Sequence, residues 1–393
     1  MRAMNGKRHI ARRMADIQPF HVMDILARAR ALEAEGRDIV HMEIGEPDFP
    51  TPQPIIEAGH RALAEGRTHY TPAVGLPELR EAISRFYQER YGVHVAASRI
   101  VITPGASGAL QLVLATLVNP GEQVLMADPG YPCNRHFVRL VEGEPSFIST
   151  NADTHYQLTA ESLRARWTGR STAALIASPA NPTGTLVPAR ELRAMAEFVA
   201  EQGGNLIVDE IYHGLVYDAE APTALSVSDD VFVINSFSKY FGMTGWRLGW
   251  IVAPEAYVRD LDKLAQNLFL AASTPSQYAA LAAFEPETIA ILEERRNAFK
   301  ARRDFLLPEL RRLGFDIPVT PEGAFYLYAN SERFGRDSFT LCQRLLDEAG
   351  VAITPGLDFG RHRASAHVRF AYTTDVERLR EAVGRIEQFL AKG

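Results

Sequence analysis

One lysine, Lys239, stands between two apolar runs at residues 231–234 and 248–253 that predict buried strands. A lysine near strand ends that is partly desolvated and lies close to another cation, here Arg247, loses its proton more easily. A neutral lysine amine can form a Schiff base with an aldehyde. Hydroxyl donors and a guanidinium in the same segment have the character needed to bind a phosphate. These phosphate candidates are Ser236, Ser238 and Arg247.

The segment from Ser236 to Gly249, SFSKYFGMTGWRLG, resembles the lysine motif of the class I/II aminotransferases that depend on pyridoxal phosphate (PLP), the aspartate aminotransferase superfamily. The resemblance implies that Lys239 is the Schiff-base lysine. It also implies that the cofactor phosphate is bound by Ser236, Ser238 and Arg247.

A glycine turn follows the predicted strand at 100–102 and precedes an apolar helix. Such an arrangement binds anions, because the first helical amides point at the ligand and the helix dipole favours negative charge. The turn is neither a dinucleotide-binding motif nor a Walker loop. It is not a hydrolase elbow either, since Ala109 replaces the last glycine. In the similar family this loop binds the PLP phosphate, which implies a role for Gly105, Ala106 and Ser107.

An aspartate, Asp209, closes the apolar run at 206–208. A carboxylate at the end of a buried strand is costly unless it has a partner. The D-E-x-Y resemblance implies that this partner is the cofactor's ring nitrogen, while Glu210 points to the other face of the strand. The same resemblance implies further cofactor contacts. These are Asn181 and Tyr212 at the phenolic oxygen, and Tyr131 stacked on the ring.

Other family-like segments imply substrate contacts. Arg369, on a predicted strand at 367–372, is expected to bind the substrate α-carboxylate through a bidentate fork, together with Asn181. The IGEPDF segment implies that the amide of Gly45 lies beside the same carboxylate. Tyr70 is expected to reach the phosphate of a second subunit, so the resemblance implies a homodimer.

Apolar runs alternate with helical stretches along the chain, which predicts a mostly parallel sheet covered by helices on both faces. The candidate residues follow the runs, at the edge where open α/β sheets bind ligands. We expect an α/β fold with a large PLP-binding domain over 45–286. A smaller α+β domain is expected from both termini, 1–44 and 287–393, with an N-terminal arm over 1–20. A strand is expected over 39–44, and a long helix from 287 is expected to be interrupted near Pro308.

The composition of the chain also limits its possible partners and location. The chain has 393 residues, is 46% hydrophobic and carries a net charge of −6, which argues against a general nucleic-acid surface. No apolar run approaches the roughly 20 residues that span a membrane. Cys133 and Cys342 show no metal-binding spacing, so we expect no metal and a reducing, cytoplasmic setting. The arm is basic before Asp16, a balance also seen in transit peptides. Its basic residues are Arg2, Lys7, Arg8, Arg12 and Arg13.

The combined motifs predict a PLP-dependent aminotransferase that works by a ping-pong mechanism through Lys239. Ser107 stands where some similar aspartate aminotransferases carry a lysine for a second carboxylate, which favours neutral or aromatic donors. Arg135 is an alternative source of that cation. Three alternatives stay open: a cysteine-conjugate β-lyase, a non-catalytic PLP-binding regulator and a purely structural protein. A structural protein would have no reason to carry Lys239, Asp209, Asn181 and Arg247 together. Because the arm before the predicted helix at 24–35 is short, we do not expect the DNA-binding module that such a regulator usually carries.

Overall fold

The computed structural model describes residues 10–335 and 337–392. Its strands are β1 Val40–His41, β2 Ile100–Thr103, β3 Gln123–Asp128, β4 Glu144–Ser149, β5 Ser171–Ala177, β6 Asn205–Asp209, β7 Val231–Ser236, β8 Gly249–Val252, β9 Tyr326–Asn330, β10 Val351–Ala352, β11 Thr354–Pro355 and β12 His367–Ala371. Its α-helices are α1 His21–Ala34, α2 Gln53–Ala64, α3 Pro77–Tyr91, α4 Gly105–Leu117, α5 Pro132–Leu140, α6 Ala160–Arg166, α7 Ala189–Glu201, α8 Glu255–Leu268, α9 Thr274–Leu281, α10 Pro286–Leu313, α11 Ser338–Arg344 and α12 Val376–Leu390.

The largest sheet has seven strands in the order β2-β8-β7-β6-β5-β3-β4. β8 runs antiparallel to both of its neighbours, and the remaining pairs are parallel. Parallel neighbours need long crossover connections, which helices supply here. The mostly parallel sheet flanked by helices is therefore confirmed.

Both faces of this sheet are buried, as the continuous apolar runs predict. In β7, Val231 and Val233 belong to one hydrophobic cluster, whereas Phe232 and Ile234 belong to a second cluster. Because successive side chains of a strand point to opposite faces, the two clusters lie on the two sides of the sheet. Polar groups of the central strands are consequently found at the strand ends.

A smaller α+β unit is built from both ends of the chain, as expected. The antiparallel sheet β11-β12-β9 belongs to the C-terminal part, and the parallel pair β1-β10 joins the N-terminal segment to it. Helix α12 packs against α10 and β1. The exact domain limits, 45–286 against 1–44 and 287–393, stay predictions.

The strand expected over 39–44 is much shorter, since regular pairing with β10 stops at His41. The next residue, Met42, still donates its N–H to Ala352 O at 2.9 Å, but its carbonyl accepts from the N–H of Ala371 on β12 at 2.7 Å. The chain thus passes from one strand to another. Beyond this point the backbone carbonyls are bound by side chains instead of by a sheet.

The expected interruption near Pro308 is wrong, because α10 runs without a break from Pro286 to Leu313. Proline removes one backbone donor and normally kinks a helix. Here Pro308 lies on the exposed face, while its neighbours Leu307 and Leu310 are buried in the core. Tertiary packing of the apolar face therefore outweighs the local cost of the proline.

The N-terminal arm lies in part outside the described residues, which exclude Arg2, Lys7 and Arg8. From Arg12 to Ala15 the arm forms a short 3-10 helix, and Arg13 Nη1 pairs with Glu142 Oε1 at 3.1 Å. Across residues 10–335 and 337–392, no helix combines the length and apolar character needed to cross a bilayer. The cytoplasmic location stays a prediction.

Candidate active site

A cavity of about 300 Å³ lies at the carboxyl edge of the large sheet and is closed by the smaller unit. Polar side chains reach it from just beyond β3, β5, β6 and β7, as expected for an open α/β sheet. Arg369, on β12, enters from the smaller unit. The predicted site residues that line the cavity are Gly45, Ala106, Ser107, Tyr131, Asn181, Asp209, Tyr212, Lys239 and Arg369.

Lys239 lies at the floor of this cavity, three residues beyond the end of β7. Its Nζ donates a hydrogen bond to the carbonyl oxygen of Gly45 at 2.7 Å and lies 5.8 Å from the ring centroid of Phe325. Burial lowers the pKa of Lys239 to about 8; the Glu46 carboxylate opposes this shift, and the Arg369 guanidinium reinforces it. The neutral amine is therefore a larger fraction near neutral pH than in an exposed lysine, although the ammonium form still predominates.

Asp209 ends β6 next to Ala177 of β5 and Ile234 of β7. One carboxylate oxygen accepts the backbone N–H of Ile211 at 3.1 Å. Burial raises the pKa of Asp209 to about 7, and the positive charge of Lys239 opposes this shift. An ionised carboxylate in such a place is costly unless a cation lies beside it.

Glu210, the next residue, points away from the cavity, as strand alternation predicts. It is fully buried, and it accepts hydrogen bonds from Thr223 Oγ1 at 2.9 Å and from the backbone N–H of Ala224 at 2.7 Å. Burial raises the pKa of Glu210 to about 8. The two adjacent carboxyl groups therefore have separate environments, and Asp209 alone faces the cavity.

Hydrogen-bond donors from Ser236, Ser238 and Arg247 lie together at the N-terminus of α4, and we call this group, with Gly105, Ala106 and Ser107 of the first turn, the cradle. Ser236 Oγ donates to Ser238 Oγ at 2.9 Å, and Arg247 Nη1 lies 3.4 Å from Ser238 Oγ. A Cβ on Gly105 would lie 2.7 Å from Arg247 Nη2, and this glycine has a φ of +71°. Gly105 is thus required both for its conformation and for the close approach of the guanidinium.

This donor set fits a PLP molecule. The cradle offers hydroxyl, guanidinium and helix N-terminal donors to a phosphate. The buried carboxylate of Asp209 needs a cation such as a protonated ring nitrogen, and Lys239 supplies an amine for an aldehyde. The cavity lies between these groups and is lined by Tyr131, whose ring offers a flat face.

Arg369 is a buried cation held by neutral oxygens. Its Nη1 donates to Asn181 Oδ1 at 2.9 Å, and its Nη2 donates to the carbonyl oxygen of Glu43 at 2.6 Å. The guanidinium carbon lies 4.2 Å from the ring centroid of Tyr326. Among the described residues, Nε has no hydrogen-bond partner. A carboxylate ligand would complete the coordination of this guanidinium.

Tyr326, on β9, is a cavity residue that sequence reasoning missed. Its hydroxyl pairs with that of Tyr212 at 2.8 Å. A Cβ on Gly45 would collide with the same hydroxyl, so glycine is required there. The signal that could have found Tyr326 is strand alternation, which puts Tyr326 and Tyr328 on the face of β9 opposite to Leu327.

Some residues named from the sequence do not line the cavity. Gly105, Ser236, Ser238 and Arg247 belong instead to the cradle around the N-terminus of α4, and Tyr70 and Arg135 lie elsewhere. Tyr70 is 82% exposed and does not line the cavity of its own chain. Arg135 donates through Nη2 to the carbonyl oxygen of Asp358 at 3.0 Å and lies over the ring of Phe147. Arg135 therefore contributes to packing at the rear of the site.

A second, larger groove of about 1060 Å³ is lined by other parts of the chain, including Tyr91, Arg190 and Glu220. None of the predicted site residues lines this groove within the described structure. In the same described residues, no group of three or more His, Cys, Asp or Glu side chains is placed to bind a metal. The chemical features therefore concentrate in the smaller cavity.

Comparison with known proteins agrees with this geometry. The profile of the family described as "Aminotransferase class I and II" matches residues 37–386. A (5-formylfuran-3-yl)methyl phosphate transaminase from Methanocaldococcus jannaschii is 38% identical over 98% of this chain and 100% of its own length. A valine–pyruvate aminotransferase from Mycobacterium tuberculosis is 39% identical over 96% of this chain and 97% of its own.

Solved structures show the same relationship. A crystal structure of an aminotransferase from Mycobacterium tuberculosis superposes with a TM-score of 0.95 at 39% identity, covering 98% of this chain and 100% of that one. The likeness extends over the whole large sheet and the smaller unit. The chain belongs to the class I and II aminotransferases, a PLP-dependent family, and is an aminotransferase.

Proposed function

We propose that this enzyme moves the amino group of a neutral or aromatic L-amino acid to a 2-oxo acid, with PLP bound to Lys239 as a Schiff base. The observation that carries the proposal is the convergence of Lys239, Asp209 and Arg369 on one cavity of about 300 Å³. These groups offer an amine, an anion and a carboxylate ligand in a space suited to a small molecule.

Bound PLP supplies an electron sink for the carbanion that forms when the α-proton leaves. Asp209 would hold the ring nitrogen and favour its protonated form. Asn181 and Tyr212 would contact the phenolic oxygen, and Tyr131 would pack against the ring. The phosphate is held by the α4 cradle, which comprises Gly105, Ala106, Ser107, Ser236, Ser238 and Arg247.

Arg369 and Asn181 orient the substrate carboxylate, with the Gly45 amide beside it. The neutral Lys239 amine would remove the α-proton of the substrate and would later give that proton back. The lowered pKa of Lys239 suits this exchange, because the amine must accept and release a proton near neutral pH. The first oxo acid leaves before the second one binds, which makes the kinetics ping-pong.

The lining of the cavity supports a neutral or aromatic donor. The cations that line it within the described residues are Lys239 and Arg369, and both have roles in the chemistry. The remaining wall includes apolar side chains that suit an uncharged substituent. These are Phe20, Val22, Ile44, Leu110, Pro132 and Phe359. A relative named for valine and pyruvate agrees with this preference.

A homodimer would place Tyr70 at the phosphate of the partner subunit. Its high exposure in the single chain supports this placement, as does the exposure of apolar Leu63, Leu268 and Leu270. Thr274 Oγ1 binds the carbonyl oxygen of His69 at 2.7 Å and so joins the Tyr70 segment to α9. Sedimentation of the purified protein tests the dimer.

The decisive experiment is an absorbance spectrum of the PLP-loaded enzyme before and after single amino acids are added without an oxo acid. We expect a visible band that converts to the pyridoxamine form, most efficiently with neutral or aromatic amino acids. A Lys239→Ala variant should lack the lysine-linked band, whereas the surface variant Lys263→Ala should keep it. A band unchanged in Lys239→Ala would overturn the assignment.

The same experiment separates the β-lyase alternative. A lyase would keep its visible band with every amino acid and release pyruvate from cysteine conjugates without an oxo acid. Pyruvate is measured in the same samples. Accumulation of pyruvate from a cysteine conjugate, together with an unconverted band, would therefore support the β-lyase and overturn the aminotransferase proposal.

A further inference from the structure

The backbone carbonyl of Glu43 is a shared acceptor next to the substrate-binding arginine. It accepts from Arg369 Nη2 at 2.6 Å and from Thr354 Oγ1 at 2.8 Å. Arg369 Nη2 also lies 3.3 Å from Thr354 Oγ1. Because regular β1 pairing has already ended, this carbonyl is free to accept hydrogen bonds from side chains. Its position therefore fixes the position of Arg369 Nη2.

The side chain of Glu43 is fully buried. Its Oε1 is 2.7 Å from His41 Nδ1, and the other ring nitrogen of His41 is 3.1 Å from Glu33 Oε1 on α1. Oε2 of Glu43 has no hydrogen-bond partner in the described structure. A buried carboxylate is costly, and a residue with a packing role alone would be apolar here.

Buried ion pairs contribute little to stability, but they can fix one geometry among several. His41 and Glu43 are two residues apart on an extended segment, so their side chains lie on the same side. Their contact fixes the peptide that carries the Glu43 carbonyl. Glu33 on α1 contacts the other ring nitrogen of His41, and Arg369 on β12 contacts the Glu43 carbonyl.

We propose that Glu43 is a positioning residue, held by His41, that orients Arg369 for the substrate carboxylate. The inference rests on the proposed function, since it takes Arg369 as the carboxylate ligand. Glu43 itself lines the cavity, and the inference concerns the contact of its side chain with His41 and of its carbonyl with Arg369. Its consequence is selective: loss of the pair weakens the binding of carboxylate substrates and leaves the cofactor chemistry intact.

The test compares an amino acid with the amine that lacks its carboxylate, such as phenylalanine and phenylethylamine, in the half-reaction of PLP-loaded enzyme. In Glu43→Gln we expect KM for the amino acid to rise roughly tenfold, with kcat within about twofold, because one ligand of a charged group is misplaced. The kcat/KM for the amine should not change. His41→Gln should act in the same direction, and the exposed Glu35→Gln should match the wild type.

An equal loss with both substrates, or an unchanged KM for the amino acid, would overturn the positioning role. If Glu43→Gln does not fold, as judged by its melting temperature, His41→Gln decides the question by the same comparison. Arg369→Lys separates the two levels. If Arg369→Lys keeps the preference for the amino acid over the amine, Arg369 does not bind the substrate carboxylate. If Arg369→Lys loses that preference but the Glu43 and His41 variants keep it, only the positioning role is wrong.

Discussion

The Nζ atom of Lys239 lies 2.7 Å from the carbonyl oxygen of Gly45, which is 194 residues earlier in the chain. The same N-terminal segment carries the Glu43 carbonyl that binds Arg369. A single short stretch of backbone therefore contacts both the reactive amine and the carboxylate-binding guanidinium. The relative placement of these two groups is set by residues 43–45 as much as by the sheet.

The pH dependence of cofactor attachment tests the environment of Lys239. Burial lowers its pKa from 10.5 to about 8, and only the neutral amine attacks an aldehyde. The rate of PLP attachment to the apoprotein should therefore increase with pH and level off above about 8. Stopped-flow absorbance from pH 6 to 10 measures this rate, with a free lysine derivative as reference to remove the titration of PLP itself. A midpoint equal to that of the free amine would contradict the prediction.

Replacement of Asp209 should separate stability from activity. Its folded-state pKa, about 7, lies above the ordinary 3.8, so the carboxyl group destabilises the folded apoprotein as pH rises between these values. We expect apo Asp209→Asn to melt higher than the wild type at pH 8, by roughly 2–4 °C or more. The difference should shrink towards pH 4.

The same Asp209→Asn variant should lose activity by about 10²–10³, because the ring nitrogen loses its anion. Calorimetry of the apoprotein and the half-reaction rate of the loaded enzyme give the two values. Glu210→Gln, which changes the neighbouring buried carboxyl on the opposite face, is the control for general damage to β6. A stability gain that does not depend on pH would show that Asp209 is not the responsible titrating group.

A cation introduced at Ser107 should change the donor preference. Ser107 lines the cavity in the first turn of α4, near the apolar wall that includes Leu110. In Ser107→Lys we expect kcat/KM for aspartate, relative to a neutral amino acid, to rise about tenfold through the new charge. Ser107→Met, which has a side chain of similar length without charge, should not raise the aspartate rate. Equal behaviour of both variants would show that Ser107 is remote from the substrate side chain.

Mixed dimers test whether Tyr70 acts across an interface. Lys239→Ala and Tyr70→Ala should each be nearly inactive alone. When the two variants are refolded together, a heterodimer has one site with both native residues only if Tyr70 serves the partner subunit. Statistical mixing should then restore about a quarter of wild-type activity. Mixtures that stay as inactive as the separate variants would place Tyr70 in its own subunit or outside the site.

Local signals predicted much of the site. Lys239, Asp209 and Asn181 follow buried strands, and a parallel sheet brings such positions to one edge. Tyr326 and Glu43 escaped prediction for a physical reason. Their roles depend on contacts between segments far apart in the chain, which no local pattern reveals.

Pro308 is the opposite case, in which packing overrides a strong local signal. Its exposed position lets the buried face of α10 continue without a break. The pairing of β1 with β10 was equally unreadable from the sequence, since it depends on where the C-terminal strands dock. Long-range packing decided both cases.

The segment over residues 40–43, which begins with β1, also affects the order in which the chain folds. Its contacts with the C-terminal part join residues 311 positions apart, as between Glu43 and Thr354. Contacts of such long sequence separation form slowly, and on the ribosome they must wait for the last strands to emerge. The large sheet can assemble first from neighbouring βα units, and the binding site for the substrate carboxylate is completed last. A nascent chain can therefore gain its sheet well before it gains its catalytic competence.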